Sequence, residues 1–530
     1  MKNFKYILLS ICGLFLLLGW SSCEIEPEMT DRYSDRTPWR SESNMNLYLN
    51  TFYPLLSGYG GGVPMDCYTD LIKQNSSSAE ENLLNYGFTT ISPDANRLGN
   101  WSWAYSWIRT CNELLEGFDL YHNDFSEDFR NLISAQVRWF RAYVYFELAK
   151  RHGGSVILLD KLPTQDFHPR CEPDECWDFI ASEFDFAAKH LPAVWDEPAK
   201  NKGRLTKGAA FGLKAVAMLY AERWQAASDA CDSVKLLGYQ LLPDYKNNFN
   251  NKFTVPFNNT ESIIEFYYKD PEMTHNFDYL YGPPSDIGCF AFASPTEDLV
   301  RSYQMADGSA FDWDNPEMAK NPYVNRESRF YATILFNGAD WKGRKIESFV
   351  GGADGFGTSG ATTTTGYYLR KFLDETKKDF KTGSDNTHIK LRYAEILLVS
   401  AEAKARLGRL SEAMADLNAI RARAGFTKGL TAGSWSEFFP LLEHERKIEL
   451  AFEGHRYWDL RRWGIAKQRL NGLSCVGTKI TKNEDGSLSY EIVDCDEGNK
   501  RVYLDKFDRF PIPLVEIQRN PLCEQFNEWK

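Results

Sequence analysis

At 530 residues, with 43% apolar and 25% charged side chains, the chain has the balance of a globular body rather than of a disordered or membrane-embedded one. Its formal charge of -12, with no dense run of Lys and Arg, argues against nucleic acid as a partner, because phosphate binding depends on clustered cations. An aromatic content of 15%, with 15 Trp and 27 Tyr, exceeds what a core usually requires, so some rings are expected to face a ligand.

Residues 1–22 read as a targeting leader. Lys2 and Lys5 supply a positive start, Tyr6 to Leu18 an almost unbroken apolar run, and Ser21 and Ser22 the small residues before a cleavage point. The run is too short to span a bilayer comfortably. Cys23 follows at once, where a lipoprotein carries its acylated first residue, so lipidation at Cys23 is expected; two or three acyl chains on that residue meet the requirement for stable anchoring. Losing Lys2 and Lys5 takes the formal charge from -12 to near -14. Residues 23–37 form a short tether opening on Glu24, Glu26 and Glu28, and 38–530 form the main domain. Of 11 cysteines, nine remain after Cys12 and Cys23 are set aside. The close pair Cys171 and Cys176 lacks Cys-x-x-Cys spacing and a neighbouring His, so neither zinc nor any other metal or cofactor is expected, and no disulfide framework is demanded.

Helical periodicity dominates blocks at about 40–240 and 391–471. Between 101 and 115, Trp101, Tyr105, Ile108, Asn112 and Leu115 share one face while Trp103, Trp107, Cys111 and Leu114 share the other, the pattern of a helix buried between neighbours. The alternative is that its first-turn rings project into a cleft. Residues 132–151 place Phe140, Tyr143, Val144 and Leu148 on one stripe, and Gly153-Gly154 stops that helix. Ala215, Ala217 and Ala227 recur at the spacing of Ala401, Ala403 and Ala413, which lets paired helices approach closely, as in tetratricopeptide repeats. The expected fold is therefore mostly α: a tetratricopeptide-like solenoid of helical pairs with long irregular, aromatic-rich loops. The stretch 241–390 loses helical period and gains Gly, Pro and rings such as Tyr279, Tyr281, Phe290, Phe292, Trp313, Tyr323 and Trp341, composition that argues for an ordered, functional insertion. In 444–463, Glu445, Glu449 and Glu453 each have an Arg or Lys within a helical turn, so a salt-bridge network is expected rather than a hydrolytic carboxylate pair. No nucleophile elbow, His-Glu-x-x-His or phosphate-cradling loop is present, and no enzymatic activity is expected. The segment 472–530 begins irregularly, with a hairpin expected at Asp485-Gly486.

These blocks together resemble the SusD/RagB family. Trp101, Tyr105, Ile108 and Asn112 match its Trp-containing helix; VRWFRAYVYFELAKRHGGSV (137–156), GRLTKGAAFGLKAVAMLYAERW (203–224), LRYAEILLVSAEAKARLG (391–408), ERKIELAFEGHRYWDLRRWG (445–464) and FPIPLVEIQRNP (510–521) are similar to successive family blocks. The resemblance implies four helical pairs, an acidic signal after Cys23 for display on the outer face of the outer membrane, and seating as a lid on a SusC-like TonB-dependent transporter. It implies an oligosaccharide ligand, or in some members a peptide; the ring-rich insertion favours sugar, because neutral sugars are gripped by stacking and preorganised polar groups. It also implies ligand contacts in three places: around Asp66, Tyr68 and Asp70; around Arg97, Asn100, Trp101 and Trp103; and among Tyr279, Tyr281, Phe290, Trp313 and Trp341.

Overall fold

Several helices in this protein begin where a side chain satisfies the free amides of a first turn, and the computed structural model describes the chain over residues 37–58, 65–92, 98–121, 125–249, 259–286, 288–357, 362–379 and 383–530. The expectations for Cys23, the leader, most of the tether and Arg97 lie outside those residues. Helix α1 spans Glu42–Asn50, α2 Trp101–Leu120 and α3 Glu127–His152. Ser126 caps α3 by accepting from the Phe129 amide; Glu127 and Asp128 sit at its start, Lys150 and Arg151 at its end, and Gly153 closes it at φ 71°. In α4, Pro173–His190, Glu172 and Glu175 form a capping box and Pro173 takes the first helical position. Helices α5 (Lys207–Tyr220) and α6 (Trp224–Lys235) form a tight hairpin, as do α7 (Tyr393–Arg406) and α8 (Leu410–Arg423). Helix α9 spans Trp435–Glu449 and α10 Arg456–Arg462.

Each helix from α2 to α8 packs on the next, and α7 stacks directly on α6 although more than 150 residues separate them in sequence. The mostly α, tetratricopeptide-like reading is what the structure shows. Ala215, Ala217, Ala227, Ala401, Ala403 and Ala413 are all fully buried, as close helix approach requires. Lys235 of α6 locks the joint, donating to Ser400 of α7 at 2.9 Å and to Asp416 of α8 at 2.7 Å.

The intervening chain leaves the stack and returns through antiparallel pairing of β2 (Ser262–Phe266) with β4 (His388–Arg392). Strand β1 (Ile72–Gln74) pairs with β3 (Ala293–Pro295), Gln74 opposite Ala293. A hairpin of β5 (Val476–Lys482) and β6 (Leu488–Asp494) turns at Asp485-Gly486, as the sequence predicts. With little regular structure, the insertion builds its own core from rings: Tyr281, Tyr303, Phe330, Trp341, Tyr367 and Tyr368. Burying each such side chain contributes roughly 1.5–3 kcal/mol, which compensates for the scarcity of periodic backbone pairing.

A largely buried charge cluster joins insertion to scaffold, with Glu453 at its edge. Glu449 bonds to Arg392 at 2.6 Å, to Arg329 at 3.0 Å and to Arg423; Glu445 bonds to Arg329 and, at 3.2 Å, to Arg421. Glu453 pairs with Arg392 and Lys371, Glu261 with Arg392 and Arg423, and Glu327 with Arg329. The expected network is present, but its wiring differs: Glu445 and Glu449 take their cations from the insertion, β4 and α8, not from within a turn of their own helix.

Candidate ligand-binding site

Asn100 occupies the N-cap position of α2 without a capping bond from its side chain, so its amide oxygen is left over. The next residue, Trp101, is 5% exposed, tilted on Tyr105 at 4.9 Å and edge-on to His152 at 5.1 Å. His152 ends α3, and its Nδ1 lies 3.0 Å from the Phe510 carbonyl, which can only accept. Nδ1 therefore carries the proton and Nε2 is an acceptor. Burial pushes the imidazole down to about 3, so it is neutral at ordinary pH.

The Asn100 side-chain oxygen, Trp101 Nε1 and His152 Nε2 are all buried without a hydrogen-bond partner in this structure. Their three residues line one open cavity of about 290 Å³, walled also by Trp103, Phe510 and Pro511. Trp103 is 39% exposed. A cluster of unsatisfied donor and acceptor at a cavity is what a polar ligand or ordered water completes, because each such group costs about 1–3 kcal/mol if left bare. Asn100, Trp101 and Trp103 are thus brought together as expected, with one difference: α2 is not buried on both faces, since Trp103 is exposed and Trp107 only half-buried. His152 and Phe510 were missed; the Gly153-Gly154 stop and the FPIP segment marked their places, but nothing local joins 101, 152 and 510.

The other expected contacts divide. Tyr279 and Phe290 meet edge to face at 4.9 Å, and Phe290 lies 5.5 Å from Phe292; Phe290 and Phe292 are 37% and 40% exposed, so these rings form a ledge. Trp313 is half-buried and donates to Glu297 at 2.7 Å. The structure corrects the remainder. Tyr281 and Trp341 are each 1% exposed, held in the insertion core, and Trp341 donates to Asp286 at 2.9 Å. Tyr68 packs on Tyr457; Asp70 is buried against Arg456 at 2.9 Å and Lys447 at 3.1 Å. Asp66 is fully buried, and burial pushes its carboxyl up to about 7 although the Gly454 amide donates to it. None of these five presents a free face to a ligand. The β1–β3 pairing does bring the 66–75 segment beside the ring ledge, with the Asn75 amide donating to the Phe292 carbonyl at 2.9 Å.

A family model described as the SusD family matches residues 253–529, more than half of the chain. The chain belongs to the SusD family. A second model, described as starch-binding associating with outer membrane, matches residues 29–219. A SusD-like protein of Formosa agariphila is 26% identical, over 97% of each chain. A solved SusD-like protein from Bacteroides fragilis superposes with a TM-score of 0.81 at 28% identity, covering 93% of this chain and 98% of that one. Another from the same organism, described as a SusD-like carbohydrate binding protein, gives 0.79 at 24% identity over 92% and 99% and shares the SusD fold. Among the described residues no helix is long and apolar enough to cross a membrane.

Proposed function

We propose that this SusD-family protein captures oligosaccharide at the outer membrane, anchored through acyl chains on Cys23, and passes it to a SusC-like TonB-dependent transporter. The observation that carries the reading is the α2 cavity with its bare donor and acceptors. A sugar hydroxyl both accepts and donates, which is the chemistry that the unpaired Trp101 Nε1 donor and His152 Nε2 acceptor, in residues lining this cavity, would complement. Trp103, partly exposed on the cavity wall, offers an apolar face for the sugar's C–H surface. The description of a structural relative as carbohydrate binding, and that of the second family model as starch-binding at the outer membrane, support the ligand class and the location. The ion pairs that engage Glu445, Glu449 and Glu453 support binding rather than hydrolysis by these acids.

Calorimetric titration with a panel of neutral oligosaccharides and peptides tests this. A bound glycan should lose roughly 1–3 kcal/mol of affinity in Trp103→Ala, with an unchanged melting curve because the ring is partly exposed. Tight binding of peptides alone, or wild-type glycan affinity in both Trp103→Ala and His152→Phe, would overturn the reading.

A further inference from the structure

Between scaffold and insertion lies a second cavity, of about 410 Å³, which shares no wall residue with the one at α2. Helices α3 and α5, strand β4 and the start of α7 form its scaffold side, and the insertion contributes Phe277 and Phe372. With Phe146, Tyr220 and Trp458 these rings give it aromatic walls. Small-molecule sites typically have about 300–1,000 Å³, mainly apolar walls and a place where two structural units meet.

The charged groups on this wall do not balance. Glu147 bonds to Lys150 at 2.7 Å and to Arg151 at 2.6 Å, and Glu453 belongs to the charge cluster through Arg392 and Lys371. Glu395 lies 3.5 Å from His455, but burial pushes that imidazole down, as it pushes His388 down to about 3, so neither ring adds a charge at neutral pH. Burial brings Lys150 down to about 8, which leaves it mostly protonated at pH 7. Three cations, Lys150, Arg151 and Lys390, therefore stand against two carboxylates, Glu147 and Glu395. Among the described residues Lys390 forms no ion pair; its ammonium lies 5.4 Å from the centre of the Tyr143 ring, and the side chain is only half-buried, so solvent reaches it. The Tyr143 phenol, and then Glu147 and Glu395, hold that ammonium above its ordinary value against burial, so it stays charged.

We propose that this cavity binds a small organic carboxylate with an apolar body, the carboxylate on Lys390 and the body against the rings. An ammonium that meets a carboxylate forms a charge-assisted hydrogen bond, stronger than a neutral one and stronger again beside low-dielectric walls. A ligand cation would instead face three like charges. Leu213, Val216 and Leu391 extend the apolar wall, where the hydroxyls of a sugar would be left unpaired. The site is thus separate from the glycan reading of the α2 cavity and does not depend on it.

Isothermal titration of the full folded chain at pH 7 compares phenylbutyrate with phenylbutanol, which has the same body and no charge. The acid should bind once per chain and about tenfold tighter than the alcohol, the margin of a hydrogen bond between charged groups over a neutral one. Lys390→Met should abolish that margin and leave glycan affinity unchanged, whereas Trp103→Ala should weaken glycan binding and leave the acid untouched. The proposal is overturned by equal affinity for acid and alcohol, by no acid binding at millimolar concentration, or by wild-type acid binding in Lys390→Met; none of these outcomes bears on glycan capture. If Lys390→Met does not fold, acid against alcohol on the wild-type chain decides.

Discussion

Replacing Glu449 by Gln tests whether the charge cluster is a closed electrostatic unit. Five carboxylates, on Glu261, Glu327, Glu445, Glu449 and Glu453, face five cations, on Arg329, Arg392, Arg421, Arg423 and Lys371. Glu449 is the hub, bonded to three arginines and fully buried. Gln preserves its volume, yet removes one charge and points an amide donor at guanidinium donors. One positive charge is then uncompensated in an interior sealed from water, a defect that costs about 3–5 kcal/mol. Urea unfolding followed by far-UV circular dichroism at pH 7 should show that loss as a lower midpoint with an unchanged slope. The pH dependence gives an internal check. Burial pushes the Glu449 carboxyl up, but Arg423, Arg392 and Arg329 outweigh burial and hold it well below the ordinary value. A depressed carboxylate contributes stability above its unfolded value of 4.5 and loses it as pH falls through the folded value, so the gap between wild type and variant should narrow in acid. A midpoint within about 0.5 kcal/mol of wild type at pH 7 would refute the cluster as the joint between insertion and scaffold.

Trp341→Ala and Tyr281→Ala should each destabilise by about 3–5 kcal/mol in the same assay, because both rings fill the insertion core, whereas Phe290→Ala on the ledge should stay within about 0.5 kcal/mol. Asp66 has the opposite sign to Glu449. Its folded value, about 7, lies above the ordinary 3.8, so its contribution is fully present below 3.8 and is lost as pH rises to about 7. Asp66→Asn should therefore melt higher than wild type at pH 8, by up to a few kcal/mol at about 1.4 kcal/mol per unit, and match it at pH 4; parity at pH 8 would show that the carboxyl ionises freely in the fold.

The scaffold was legible in the sequence because its signals are local. Ser126 and Gly153 bound α3 to within a few residues of the periodic reading, and Asp485-Gly486 marked its hairpin. The recurring Ala spacing announced the two helical hairpins before their stacking was known. In a helix, 3.6-residue geometry fixes which side chains share a face, while neighbouring elements decide which faces are covered, as the exposed Trp103 of α2 shows. The insertion has no such period. Its rings read alike in sequence, and long-range contacts decided that Tyr281 and Trp341 are core while Phe290 and Phe292 face solvent. The same holds for Glu449, whose nearest basic neighbours in sequence are not its partners. It holds most of all for the cavity, where residues 101, 152 and 510 meet because the C-terminal segment lies across the ends of α2 and α3: the sequence by itself determined the elements and their caps, and tertiary structure alone decided which polar atoms were left unpaired between them.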